Sequence, residues 1–191
     1  MHFLKPYSRS RSQSSSLCGL FVALFIVSSW VSLSLGPIPF TLQTLAIMLA
    51  LLLLNFDEVL ISLFVYLLLG AVGLPVFSGM RGGLAMLLGP TGGFLWGFLL
   101  ASAIALWVRA FLVRGSIKST AKQRYADAIC LAVFMVVVYI AGCLQFVVVT
   151  HTDIISALAL TVAPFIIIDI AKAIAAFLLA RIIRSRFGYS C

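Results

Sequence analysis

Apolar residues in this chain come in long blocks, separated by short polar, basic or Gly/Pro-rich breaks. The first block, Leu17 to Leu35, has 19 residues and no charge, and ends where Gly36-Pro37-Ile38-Pro39 forbids helix continuation. A signal-peptide core is about 7–15 residues followed by a cleavage site, so this length predicts an uncleaved transmembrane helix over 17–35. Second and third helices are expected over 41–54 and 59–72, with Asn55-Phe56-Asp57-Glu58 as the turn. Both are short against the roughly 20 residues that cross a hydrocarbon layer about 30 Å thick, which implies extension into their flanks or local thinning. A fourth helix is expected over 94–110 and a fifth over 126–149, closed by His151, Thr152 and Asp153. Residues 154–183 would form one span of 30, which is too long. Pro164 divides them, and Pro favours the first position of a helix. The expectation is a short interfacial or re-entrant piece, Ile154–Ala163, then a sixth helix over 165–183. Asp169 then lies about one turn inside the start of that helix.

Between the third and fourth helices the pattern changes. Seven of the 14 glycines fall between Gly73 and Gly93, around the short apolar run Leu84–Leu88. Irregular backbone this apolar cannot face lipid, because its amides would go unpaired; it is tolerated where it is buried in protein or lines a cavity.

Composition places the chain in a class. Of its 191 residues 63% are hydrophobic and 9% charged, and the mean hydropathy is +1.22. A soluble domain is about half apolar and about a quarter charged, so an ordinary soluble enzyme, a disordered chain and a disulfide scaffold are excluded. The net charge of +8 in a soluble chain would suggest nucleic acid. Here topology accounts for it. With six helices and the N-terminus inside, eleven bases lie on the cytoplasmic side: Lys5, Arg9, Arg11, Arg109, Arg114, Lys118, Lys122, Arg124, Arg181, Arg184 and Arg186. Arg81 alone lies opposite, a strong orientation signal. The prediction is an all-α, polytopic membrane protein with six transmembrane helices, both termini cytoplasmic, and no nucleic-acid partner. A disordered basic tail is expected over 1–16, a membrane domain over 17–185 and a second tail over 186–191. The three irregular segments 36–40, 73–93 and 151–164 then open to the outer side, as suits a ligand arriving from outside.

Asp169 and Lys172 are the charged pair inside a predicted span. Their i, i+3 spacing sets them on one helical face, and ionisable groups at such depth mark functional sites. Their bland alternative is a self-neutralising pair that orients the helix. Arg81, in Ser78-Gly-Met-Arg-Gly-Gly83, could grip a carboxylate bidentately or snorkel to the interface. Gln43 can donate and accept at a helix start, and serves equally as a cap or interhelical glue. Tyr139 and Gln145 could line the same cavity, although interhelical hydrogen bonding suits them better. Gly19 and Ala23 have the small-xxx-small spacing of close helix contact. The four cysteines form no CxxC and His is scarce, so neither disulfide nor zinc is expected. Gly89–Gly93 lacks the Lys of a phosphate loop, no HExxH occurs, and no cofactor is implied. Ser78 with His151 as nucleophile and base is a remote alternative, since no GxSxG surrounds Ser78.

Five blocks in order carry a resemblance: Gly36-Pro-Ile-Pro-Phe-Thr-Leu-Gln43-Thr, Gly70-Ala-Val-Gly-Leu-Pro-Val-Phe-Ser-Gly79, Arg81-Gly-Gly-Leu84, Gly89-Pro-Thr-Gly-Gly-Phe94 and Pro164-Phe-Ile-Ile-Ile-Asp169-Ile-Ala-Lys172. Over about residues 17–185 the chain resembles the BioY family, the substrate-capture (S) components of energy-coupling factor (ECF) biotin transporters. The resemblance implies the six-helix S-component fold and a biotin pocket near the outer face. It also implies a transmembrane coupling subunit and two cytoplasmic ATPase subunits as partners, in agreement with the missing phosphate loop. Small residues of the first helix would pack on the coupling subunit, a place open here to Gly19 and Ala23 where the family favours alanines. The second-to-third turn, often basic in the family, is acidic here, and Ile167-Ile168 replaces a Pro-Gly. Biotin suits the pocket groups: Asp169 and Lys172 are expected on its ureido ring, with Arg81 and Gln43 toward the carboxylate and the mouth, the exchange of those ends being open. The alternative is an S component for another small vitamin or carboxylic acid.

Overall fold

The structure is a computed structural model that describes residues 9–33, 38–113 and 120–186. The expected terminal tails and the Gly36-Pro37 break fall largely outside those residues. Helix α1 (Arg11–Trp30) starts six residues before the expected 17. Ser10 is the reason: its hydroxyl accepts the Gln13 amide at 3.3 Å and the Gln13 side chain accepts the Ser10 amide at 3.0 Å, a capping box. Residues 11–16, expected in a tail, are helical. The helix also stops five residues before the expected 35. The chain turns there into β1 (Ser32–Leu33), which pairs antiparallel with β2 (Phe40–Thr41), Ser32 opposite Thr41 and Leu33 opposite Phe40. Strands of two residues leave no period to detect, so the all-α expectation omitted this ribbon.

Helix α2 (Gln43–Leu53) and helix α3 (Phe56–Ala71) follow. Asn55 starts α3 three residues earlier than expected, because Glu58 Oε2 accepts the Asn55 amide at 2.8 Å in a second capping box. The run Leu84–Leu88 is the short helix α4. Helices α5 (Gly92–Val113) and α6 (Thr120–Thr150) extend into the expected linker, so Arg109 is helical in α5 and Lys122 and Arg124 are helical in α6. Helix α7 (Ile154–Thr161) and helix α8 (Ile166–Arg186) form a pair bent by 46° around Pro164. Asp169 lies in the first turn of α8, as expected.

Three described helices, α1, α5 and α6, are long and apolar enough to cross a membrane, or up to four with the bent α7–α8 pair. Helices α2 and α3, of 11 and 16 residues, are too short to be counted among them. The outward faces carry large exposed apolar side chains, among them Leu20, Ile104, Phe111, Val148, Ile167 and Ile174. A soluble surface does not tolerate so continuous an apolar coat; a hydrocarbon environment does. Helix α2 is the opposite case. Ala46, Ile47, Met48, Ala50, Leu51 and Leu52 are all buried, so it runs through the middle of the bundle.

Close approach holds α5 to α6. A Cβ on Gly93 would lie 2.4 Å from the Ala141 carbonyl oxygen, so only glycine permits that crossing. The end of the bundle around Leu53 is closed by charge. Asp127 takes Arg109 Nε at 2.7 Å and Arg184 Nη1 at 2.6 Å, and Glu58 takes Arg9 Nη1 at 2.7 Å. The same arginines reach the last carbonyls of α2: Arg109 donates to Leu51, Arg184 to Leu52 and Arg9 to Leu53. Those carbonyls have no partner within the helix, and cations suit the negative end of its dipole.

Candidate functional site

A cavity of about 340 Å³ opens among β2, the first turn of α2, the 77–81 turn, α5, α6 and the start of α8. That volume falls in the ordinary range of small-ligand pockets, about 300–1,000 Å³. Its wall is apolar and aromatic, built from Phe77, Met86, Phe94, Leu95, Phe98, Val138 and Phe165. Phe165 stacks on Phe40 with ring centroids 4.1 Å apart, fixing the ribbon against the start of α8.

The polar groups converge at the floor. Asp169 is 5% exposed and Lys172 9%, so neither is hydrated as a free ion would be. Lys172 Nζ lies 2.8 Å from Asp169 Oδ1. An uncompensated charge at this depth would be costly, and the pair removes that cost because i, i+3 residues share a face. The pair is not isolated. Thr44 Oγ1 donates to Asp169 Oδ1 at 3.2 Å and accepts from Lys172 at 3.0 Å. The Tyr139 hydroxyl donates to Asp169 Oδ2 at 2.7 Å. Lys172 also donates to the Thr41 carbonyl at 2.7 Å, which ties the β1–β2 ribbon to the floor. An ammonium has three donors, and all three are engaged. Asp169 Oδ2 has one protein donor, which leaves a carboxylate oxygen able to accept again.

Gln43 enters the cavity from the first turn of α2, next to Thr44. It is 3% exposed, and its Nε2 is buried beside the Tyr66 hydroxyl. The expectation grouped Gln43 with Arg81 at the mouth, but the two are placed differently. Arg81 is exposed, on a tight turn closed by the Phe77 amide to the Arg81 carbonyl at 2.9 Å. Gly79 (φ 72°) and Met80 (φ 54°) carry the chain through left-handed backbone there. The guanidinium makes no ion pair or hydrogen bond among the described residues, so it is available to an anion. The segment leading to this turn is held by side chains of α1 and α3. Ser29 Oγ and Tyr66 Oη donate to the Val76 carbonyl at 2.6 and 3.1 Å, and Trp30 Nε1 donates to the Pro75 carbonyl at 2.7 Å.

Of the residues singled out from sequence, Asp169, Lys172, Gln43, Tyr139 and Arg81 all line one cavity. Tyr139 does so while also bonding across helices. Gln145 does not line it: its amide donates to the Leu87 and Gly89 carbonyls at 2.9 and 2.8 Å and anchors the end of α4. Gly19 and Ala23 lie exposed on the outer face of α1, away from the cavity. Ser78 lines the cavity but His151 is exposed beyond α6, so the nucleophile–base pairing is not assembled. Thr44 was missed. Its only sequence signal is adjacency to Gln43, since a lone threonine in an apolar helix suggests no role.

Comparison with known proteins adds the following. A family model described as the BioY family matches residues 5–189. The "Biotin transporter BioY" of Thermotoga maritima is 35% identical over 163 residues, covering 85% of this chain and 90% of that protein. The "Probable biotin transporter BioY" of Pyrococcus horikoshii is 38% identical over 170 residues, covering 89% and 95%. A crystal structure described as the S-component for biotin from an ECF-type ABC transporter superposes with a TM-score of 0.81 at 24% identity, covering 93% of this chain and 95% of that one. The architecture is therefore that of an S component.

Proposed function

The chain belongs to the BioY family, and from that premise we propose that it is the biotin-capturing S component of an ECF-type transporter, a transport protein and not an enzyme. One observation carries the reading. A buried, charge-neutralised carboxylate keeps acceptor capacity toward an apolar cavity, while an unpaired guanidinium stands at the exposed rim. Biotin is the complement: a ureido ring with two N–H donors and one acceptor, an apolar thiophane, and a carboxylate on a flexible chain. Asp169 accepts from the ring, with Tyr139, Thr44 and Lys172 holding it in place. A ligand oxygen that reaches Lys172 shares or replaces one of its three existing contacts. Arg81 meets the carboxylate as it enters or rests at the mouth.

The wider arrangement belongs to the same proposal. Helices α1, α2, α3, α5, α6 and α8 cross the cytoplasmic membrane six times, with both termini and the arginine cluster inside, as the distribution of bases favours. Short α2 and α3 cross because their ends are completed by protein groups, not by lipid. ATP energises release through a transmembrane coupling subunit and two ATPase subunits, since the chain lacks a phosphate loop of its own. The exposed Gly19 and Ala23 make the outer face of α1 flat enough for a partner helix to approach closely.

The deciding experiment is equilibrium binding of labelled biotin to the purified protein in detergent, wild type beside Asp169→Asn. Tight binding by the wild type, weakened more than tenfold in the variant, is the expected result. Equal affinity would leave Asp169–Lys172 as a structural pair. No binding by folded wild type would discard biotin, and competition by other small vitamins and carboxylic acids would then identify the substrate.

A further inference from the structure

Arg81 is a cation set in exposed apolar surface. Gly82 packs on the 73–74 backbone, since a Cβ there would lie 2.1 Å from the Leu74 carbonyl oxygen. The Gly83 amide donates to the Gly70 carbonyl at 2.7 Å. These contacts gather Val72, Leu74, Met80 and Leu84 around the Arg81 turn, with Leu88 one helical turn further along α4. Their exposures run from 47% at Leu74 to 78% at Val72. Two tryptophans set the level of this patch. Trp30, the last residue of α1, donates Nε1 to the Pro75 carbonyl at 2.7 Å, and Trp96, near the start of α5, donates to the Leu87 carbonyl at 3.2 Å. Both helices are long and apolar enough to cross a membrane. Tryptophan, with an apolar body and one donor, concentrates where a span meets the lipid headgroups. The Arg81 turn therefore lies at headgroup level and not in open water.

The protein's acids are spent elsewhere. Of the five in the chain, Glu58 and Asp127 pair with arginines at the Leu53 end, Asp169 pairs with Lys172 and Asp153 caps α7. Asp57 lies in the first turn of α3, at the opposite end of that helix from the Arg81 turn. A guanidinium in such surroundings is stable where its stem lies along lipid tails and its fork reaches headgroup oxygens. Phosphate is the anion at that level, and its oxygens match the fork bidentately.

We propose that Arg81 holds the phosphate of a phospholipid at the cavity mouth, and that the ligand's carboxylate displaces that phosphate on entry. The two uses open to this arginine, snorkelling and carboxylate grip, are then successive states of one group. Capture becomes an exchange of one anion for another at a guanidinium that is always paired. The exchange rests on the biotin reading above; the lipid contact does not.

The test counts lipid on the protein. The purified full chain in maltoside detergent is mixed with equal amounts of dioleoylphosphatidylcholine and of digalactosyldiacylglycerol, a neutral lipid without phosphate. Bound lipid is read by native mass spectrometry. The wild type is expected to retain the phospholipid in preference, and Arg81→Gln to lower that preference about fivefold, the upper range for one exposed ion pair. Arg81→Lys, which keeps the charge and loses the fork, is expected to fall between them, and it decides if Arg81→Gln does not fold. Saturating biotin is expected to bring the wild-type preference down to the Arg81→Gln level. Biotin methyl ester, which has no carboxylate charge, is expected to leave it unchanged. Equal preference in wild type and folded variant would overturn the lipid contact. So would displacement of the lipid by millimolar inorganic phosphate, which would assign Arg81 to soluble anions. A preference that bound biotin leaves untouched would overturn the exchange and leave the biotin function standing. If folded wild type binds no biotin, the function and the exchange fall together, and the comparison with Arg81→Gln still decides the lipid contact.

Discussion

Two buried charge clusters sit at opposite ends of α2, and they differ in the hydrogen-bond capacity each leaves open. At the Leu53 end, Asp127 and Glu58 meet Arg109, Arg184 and Arg9 at 2.6–2.7 Å. At the Gln43 end, Asp169 meets Lys172 at 2.8 Å. The pairings are alike in distance and burial. What differs is the use of the remaining hydrogen-bond capacity. The arginines direct theirs to three successive carbonyls of α2, so that cluster is closed on itself and caps a helix. The floor cluster is filled out by two hydroxyls, Thr44 and Tyr139, and borders a cavity where Asp169 can still accept. An ion pair by itself therefore does not mark a site. A site has ion-pair neighbours with capacity left over and space in front of it.

The contrast can be broken most forcefully at Asp127. Asp127→Ala leaves two largely buried guanidinium groups without their carboxylate, and breaking such a pair costs about 3–5 kcal/mol. A steep fall in thermal stability in detergent is expected, with unchanged biotin affinity in whatever protein remains folded. Loss of affinity at full stability would mean that the cluster at the Leu53 end is part of the binding machinery. Asp169→Asn should do the reverse. Removing one partner of a buried charged contact costs about 2–5 kcal/mol, and isothermal titration should register it as weaker biotin binding, with a smaller drop in melting temperature than Asp127→Ala produces. Tyr139→Phe sharpens the comparison further. It removes one hydrogen bond to Asp169 Oδ2, of net value about 1 kcal/mol, so Kd should rise by about fivefold, without loss of folded protein on size-exclusion chromatography.

The smallest expected effect lies outside both clusters. Asp153 caps α7 by accepting the Ser156 amide at 2.9 Å, and that hydrogen bond holds its carboxyl below the usual carboxylate range. A depressed pKa means that the cap contributes above the ordinary carboxylate range and is lost as pH falls through the folded value. The protection of amides at the start of α7, measured against their intrinsic exchange rate, should therefore fall in acid for the wild type. In Asp153→Asn that pH dependence should be flat, and biotin affinity should match wild type.

Much of this architecture was legible in the chain. Apolar blocks located the long helices, Pro164 located the bend before α8, and an acid and a base three apart in a span located the floor. These features were readable because they act over one to four residues: proline removes a donor locally, and i, i+3 residues meet on any helix. Helix ends were less legible. Ser10 and Asn55 start their helices earlier than hydropathy suggests, because capping side chains and not apolar content set those boundaries. The β1–β2 ribbon was invisible, since two-residue strands are made by pairing and not by pattern.

The sequence alone determined that this is a membrane protein of the BioY type, with its irregular segments gathered between apolar helices and an acid and a base, Asp169 and Lys172, three apart in one apolar run. The tertiary structure decided which groups those charges meet. Lys172 reaches Thr41 across 131 positions of chain, Thr44 reaches Asp169 across 125, and Arg184 reaches Asp127 across 57. It also decided that the bases near the chain ends, which in sequence report only orientation, are committed to closing α2, and that Gln43 is buried while Arg81 stands exposed. Hydropathy is a property of each residue and can be summed along a chain. Hydrogen-bond completion depends on pairs, and a pair exists only once docking of the helices has brought distant donors and acceptors within about 3 Å of one another.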